Sequence, residues 1–210
     1  MLAICQNNSR EDVASSFQEL LHELVPKSIN TLLSQYPTKN LGALGDGGCI
    51  VTNNTKLNSL ILSLRNYGKD CNNDFTYKGI NSRLDEINSK ILDFKLNKID
   101  TFIKKRRAIA NIYDRQLKNT SLKLPSRKKN YFDVFHLYTV YHPKRTKIIK
   151  DLLKKKIQTR IIYPYPIHLM KGYKSFFKGK KFKISETKSR GIFSLPLYPE
   201  LKIHHVYKIC

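Results

Sequence analysis

In the stretch "SQYPTKNLGALGDGGCIVTN", residues 34–53, Lys39 follows Pro37 and precedes Gly42, Gly45, Gly47 and Gly48. A lysine amine at its ordinary pKa is protonated and nucleophilically weak, so a Schiff-base lysine must be held in a cleft where a carbonyl and its partners are fixed around it. Pro37 stiffens the chain just ahead of Lys39, and the glycines permit tight turns and close backbone approach to a ligand. The same glycines also suit a plain turn into the strand "CIVTN", and local chemistry alone favours that reading. Other polar residues have equally ordinary local readings. Asp12 beside Glu11 suits an exposed acidic pair near a helix end. Ser34 suits a turn, Asn81 an N-cap for a helix starting near Arg83, and His168 in "YPIHLM" a structural histidine.

The elements that must position these residues fall into two regions. From Leu84 a helical pattern runs through Leu92, Leu96, Ile99, Ile103, Ala110, Tyr113 and Leu117, with Arg106 its one polar interruption. That spacing predicts one long helix or two in close succession. Residues 124–130 form a polar link containing Pro125. Beyond it, "YFDVFHLYTVYHP" predicts a strand, "KRTKIIKDLLKKK" a helix and "IQTRIIYP" a second strand. A helical "ISETKSRGI", a short strand "FSLPLYP" and an amphipathic tail "LKIHHVYKIC" follow. The expected class is α/β, with a compact end domain of alternating strands and helices.

Composition limits the choices. With 40% hydrophobic residues in 210, the chain can bury a substantial core. No run approaches the roughly 18 apolar residues of a membrane span, and "MLAICQNNSRED" lacks the layout of a secretory signal, so a cytoplasmic protein without a membrane partner is expected. Cys5, Cys49, Cys71 and Cys210 show no paired spacing and read as reduced thiols. His204 and His205 have no carboxylate or cysteine at ligand spacing, so no metal site is expected. Behind the net charge of +23, the lysines are scattered from Lys27 to Lys208 together with abundant Asn and Ile, which marks a compositional bias. Short basic runs such as "KKRR" and "LLKKK" suit solvated faces, and without a recognisable module nucleic acid is a disfavoured partner.

The ordered series "YPTKNLGALGDGG", "LRNYG", "GINSRLDEINSKIL", "VFHLY", "YPIHL" and "SLPLYPEL" resembles the DegT/DnrJ/StrS family of pyridoxal-phosphate-dependent nucleotide-sugar aminotransferases. Upstream, "LAIC" and "REDVASSF" resemble the approach to the family's acidic "EDxAQSFG" motif. The resemblance implies a fold type I aminotransferase: residues 1–80 a remnant of the cofactor-binding large domain, 81–124 long connecting helices, 125–210 a small C-terminal α/β domain. It implies that Lys39 is the lysine that carries pyridoxal 5'-phosphate and shuttles a proton. Asp12 then pairs with the pyridinium nitrogen, Ser34 binds the cofactor phosphate, and Asn81 reaches the phosphate of a partner subunit. His168 falls near the sugar site. The implied reaction moves an amino group, typically from glutamate, to a nucleotide-linked keto-sugar, with "YPTKNLGALGDGG" closest in wording to members acting on a dTDP-3-keto-sugar. Such products enter surface polysaccharides or other amino-sugar pathways.

Departures from the family pattern set further expectations. Ser15 stands where the family usually has glutamine, and residues 18–33 replace a stretch of small residues and glycines, as compensating frameshifts would. Against the family the chain starts with the large domain half built, so the front portion, which would carry the phosphate loop and the aromatic that stacks on the cofactor, is expected to be missing and cofactor affinity to fall. Three readings follow. One is an aminotransferase acting as a homodimer or completed by an N-terminal half. Another is a catalytically inactive fragment, and the weakest is a basic nucleic-acid-binding protein.

Overall fold

Cys49 to Thr52 combines β-branched residues with no helix-favouring period, and it forms the centre of a small sheet. The computed structural model describes residues 3–6, 31–127 and 130–210. Asp12, Ser15 and residues 18–30 of the unusual stretch lie outside the described residues, while its last three, 31–33, enter a strand. Strands β1 (Ala3–Gln6), β2 (Thr31–Ser34) and β3 (Gly48–Thr52) form a sheet in the order β1-β3-β2. Strand β1 runs parallel to β3 with Ala3 opposite Cys49, and β2 runs antiparallel with Ser34 opposite Gly48. The β2–β3 connection is the loop that carries Lys39.

Helix α1 (Thr55–Leu64) starts at Asn54, whose side chain accepts from the Leu57 amide at 3.0 Å. The long apolar period resolves into two helices, α2 (Glu86–Leu96) and α3 (Ile99–Leu117). The first ends at Asn97, whose side-chain amide donates to the Asp93 carbonyl at 3.1 Å. The chain forms two compact units, Met1–Thr101 and Phe102–Cys210.

The second unit holds strands β4 (Tyr138–Tyr141) and β5 (Ile192–Leu195), antiparallel with Tyr138 opposite Leu195. Helices α4 (Arg145–Lys154), α5 (Lys183–Gly191) and α6 (Ile203–Ile209) complete it. Its core joins Ile109, Ala110, Tyr113 and Leu117 of α3 to Tyr138, Val140, Phe193 and Val206. The expected strand over 131–143 begins only at Tyr138, because Phe135 has a φ of 46°, in the left-handed region that an extended strand excludes. The expected strand over 157–164 contracts to a single antiparallel bridge between Arg160 and Ser194. Pro164 and Pro166 follow closely and have no N–H to offer a ladder.

Arg106, the polar interruption of the apolar stripe, is buried on the same face as Ile103, Ala110 and Tyr113. Its Nη1 donates to the carbonyls of Phe135, His136 and Leu197 at 3.2, 3.3 and 3.1 Å. Burial lowers its pKa, and the charge of Glu200 opposes that shift. The guanidinium thus satisfies the irregular backbone that leads into β4 and out of β5. Among the described residues, no helix is long and apolar enough to cross a membrane.

Replacing Arg106 with Met keeps most of the stem and strands three carbonyls, so it is expected to cost about 3 kcal/mol of unfolding free energy. Denaturant unfolding followed by tyrosine fluorescence measures this.

Candidate active site

Lys39 ends a tight turn. Its backbone N–H donates to the Tyr36 carbonyl at 2.8 Å, with Pro37 at the position where a fixed φ suits such a turn. Gln35 closes the loop from inside: its N–H donates to the Gly47 carbonyl and its carbonyl accepts from the Ala43 N–H, both at 2.8 Å. Ala43 is 1% exposed and anchors the far side. A Cβ on Gly42 would lie 2.4 Å from the Pro37 carbonyl oxygen, so this crossing of the chain over itself admits only glycine. The Lys39 residue, half-buried, is presented by a loop whose two arms are bonded to each other.

Helix α2 grips the same loop from outside. Lys95 Nζ donates to the Gly42 carbonyl at 2.5 Å, and Asn88 Oδ1 accepts from the Leu44 N–H at 2.8 Å. Asn88 is itself oriented by Asp85, whose Oδ2 accepts from the Asn88 side-chain amide at 2.9 Å and whose Oδ1 accepts from the Asn88 N–H at 2.7 Å. Those two bonds, the backbone one first, hold the exposed Asp85 carboxyl below its ordinary range. Neither Asn88 nor Lys95 stands out in the sequence. Lys95 is one of 39 basic residues, and only its spacing of seven from Asn88, with Leu92 between, hints at a shared helix face.

The other expected site residues are placed as follows. Ser34 ends β2 with its side chain exposed, five residues before Lys39. Asn81 is exposed, its Oδ1 accepts from Arg83 Nε at 3.0 Å, and its backbone bridges antiparallel to Asn66. The cap of the following helix falls to Asp85 and not to Asn81. The "LRNYG" segment holds Asn81's neighbourhood by close backbone packing: Gly68 has a φ of 80°, and a Cβ there would sit 1.9 Å from the Tyr77 carbonyl oxygen. Lys39, Ser34 and Asn81 therefore all belong to the first unit. Gln35 Oε1, buried beside Gly47, has no hydrogen-bond partner among the described residues.

His168 belongs to the second unit and is buried there. Its Nε2 lies 3.1 Å from Glu186 Oε1, and its ring packs against Phe182 with centroids 4.7 Å apart. Glu186 Oε1 also accepts from the Phe182 N–H at 3.0 Å. That backbone bond first, then the bond with His168, holds the Glu186 carboxyl below its ordinary range. The pair ties the 3₁₀ turn Ile167–Leu169 to α5.

Taken together, these units have the fold of type I pyridoxal-phosphate-dependent aminotransferases. The chain belongs to the DegT/DnrJ/EryC1/StrS aminotransferase family, which it matches over residues 7–210. It is 39% identical over 178 residues to the dTDP-3-amino-3,4,6-trideoxy-alpha-D-glucose transaminase of Micromonospora megalomicea subsp. nigra, covering 80% of this chain and 47% of that protein. It is 40% identical over 191 residues to the dTDP-3-amino-3,6-dideoxy-alpha-D-galactopyranose transaminase of Aneurinibacillus thermoaerophilus, covering 83% of this chain and 52% of the relative. The crystal structure of S. venezuelae DesV in complex with a ketimine intermediate superposes with a TM-score of 0.82 at 32% identity, over 86% of this chain and 49% of that one. The chain spans about half the length of the curated relatives it matches.

Two outcomes follow from this geometry. Gly42→Ala forces the crossing apart and is expected to cost about 2 kcal/mol, read as a lowered thermal midpoint of the first unit. The depressed Glu186 contributes stability that is complete above the ordinary glutamate range and is lost as pH falls through its lowered pKa. Exchange of the Phe182 amide should therefore accelerate, relative to the intrinsic rate, on acidification through that window, and Glu186→Gln should flatten the dependence.

Proposed function

We propose that this chain supplies the lysine-bearing part of a pyridoxal-phosphate-dependent nucleotide-sugar aminotransferase. The observation that carries the reading is the half-buried Lys39 on a loop bonded across its own base and gripped by α2. The donor set fits the cofactor: an amine for its aldehyde, with the exposed Ser34 hydroxyl and Asn81 amide for phosphate oxygens. Aminotransferases of this family are pyridoxal-phosphate-dependent, which supports the same assignment. When bound, the cofactor supplies an electron sink for cleavage of the bond at the substrate carbon.

The chain's own residues do the rest. Lys39 Nζ would hold the cofactor's aldehyde and, once freed, serve as the proton carrier at the substrate carbon, and the loop fixes the place from which it acts. Asp12 would pair with the ring nitrogen and keep it protonated. Ser34 binds the phosphate, and Asn81 reaches the phosphate of a second subunit. His168 would be the residue on the sugar side, its ring oriented by Glu186. The amine donor is an amino acid, glutamate by preference, and the acceptor a dTDP-linked 3-keto-6-deoxy sugar, as the names of the dTDP-sugar relatives suggest. The product serves amino-sugar and surface polysaccharide synthesis in the cytoplasm. Exposed Leu44, Ile80, Ile87 and Phe94 on the first unit support an assembly that covers them, either a homodimer or a complementing N-terminal half.

The test is capture of the cofactor. Purified chain with one equivalent of pyridoxal phosphate, reduced with borohydride and mapped by mass spectrometry, should carry its label on Lys39 in preference to the other lysines. Lys39→Arg should remove that label and leave the weak surface labelling. Label spread evenly over the lysines, with no cofactor absorbance band, identifies a catalytically inactive fragment.

A further inference from the structure

Lys39 is held by a loop whose far arm, residues 43–47, is tied at both ends to the backbone of Gln35. The stiffness of that far arm comes from α2. Asn88, Leu92 and Lys95 occupy one stripe of the helix; Leu92 is buried, and the polar residues on either side of it reach the loop at Leu44 and Gly42. These two contacts flank Ala43, whose own N–H is bonded to Gln35. Gly42 in turn lies so close to the Pro37 carbonyl that a shift of one displaces the other, and Pro37 is part of the turn that ends at Lys39. A continuous path of contacts therefore runs from Lys95 through Gly42 and Pro37 to Lys39.

We propose that Lys95 and Asn88 are positioning residues for Lys39: the Lys95 ammonium on the Gly42 carbonyl and the Asn88 amide on the Leu44 N–H set where the Lys39 amine is presented. The proposal rests on the cofactor-binding role given above to Lys39. An ammonium suits the task because a hydrogen bond from a charged donor to a carbonyl is shorter and stronger than a neutral one. Asn88 suits it because Asp85 fixes which end of its amide faces the loop, leaving Oδ1 for the Leu44 N–H.

The experiment compares the full chain with Lys95→Met, Lys95→Arg and Asn88→Ala. Amide hydrogen exchange at Lys39 and Ala43 should accelerate roughly tenfold in Lys95→Met and in Asn88→Ala, the expected loss for one partly exposed hydrogen bond. Lys95→Arg, which keeps a charged donor, should restore slow exchange. With pyridoxal phosphate and borohydride, the share of label on Lys39 should fall in Lys95→Met and recover in Lys95→Arg, while labelling of surface lysines stays constant. A purely structural lysine would instead speed exchange across α1 as well, and that result overturns the proposal. So does unchanged exchange at Lys39 and Ala43 in both Lys95→Met and Asn88→Ala. If Lys95→Met unfolds the first unit, Lys95→Gln and Asn88→Ala give the same readouts. Absence of label on Lys39 in the parent chain overturns the cofactor reading alone, because the exchange rates still report on the clamp.

Discussion

The backbone of Gln35 is the tie on which the site depends. One residue donates to Gly47 and accepts from Ala43, and in doing so it converts a glycine-rich connection between two strands into a closed loop. Without that closure, neither the Tyr36–Lys39 turn nor the contacts from α2 would have a fixed object to act on. The glycines look like flexibility in the sequence and act as the opposite in the fold. At Gly42 the missing Cβ lets two stretches of backbone approach more closely than any side chain would allow, so the permissive residue produces a rigid crossing.

The same logic governs the second unit. Its short strands leave long irregular connections on both sides of the sheet, and irregular backbone buried near a core carries carbonyls that no ladder satisfies. Arg106 reaches two of these stretches at once, from residues 135–136 and from Leu197. Arg145 bonds the carbonyls of Ser189 and Ile192, at the junction between α5 and β5. Tyr113 donates from the core to the Pro196 carbonyl at 2.8 Å. The second unit is thus braced by side chains that stand in for the missing strand partners.

That use of side chains gives the charge excess a structural meaning. With 39 basic and 16 acidic residues, most cations cannot find a carboxylate. Several bond backbone carbonyls: Lys95 at Gly42, Arg106 at its three acceptors, Arg107 at Asp133 and Arg145 at the α5–β5 junction. Arg127 pairs with Asp114 and also lies over the Phe135 ring. Carbonyl oxygen is an acceptor available on every residue, so a lysine-rich chain can anchor loops without a matching supply of acids.

The sequence alone determined the class of fold, the family and the stretch that bears Lys39, because each rests on local or ordered information. Pro37 and the glycines impose their turn wherever they occur, and the spacing of Leu92, Leu96, Ile103, Ala110 and Tyr113 marks buried helical faces before any partner is known. The strands at 131–143 and 157–164 were legible as apolar segments but not in extent, since a left-handed φ at Phe135 and the single bridge from Arg160 to Ser194 are set by packing. Asn81 and Asp85 are both good capping residues, and only the actual start of α2 chose Asp85. The tertiary structure alone decided what the individual cations do. Lys95 acts on a carbonyl 53 residues away and Arg106 on one 91 residues away. No residue type advertises such a partner, because a backbone carbonyl is the same at every position until folding brings one of them within reach.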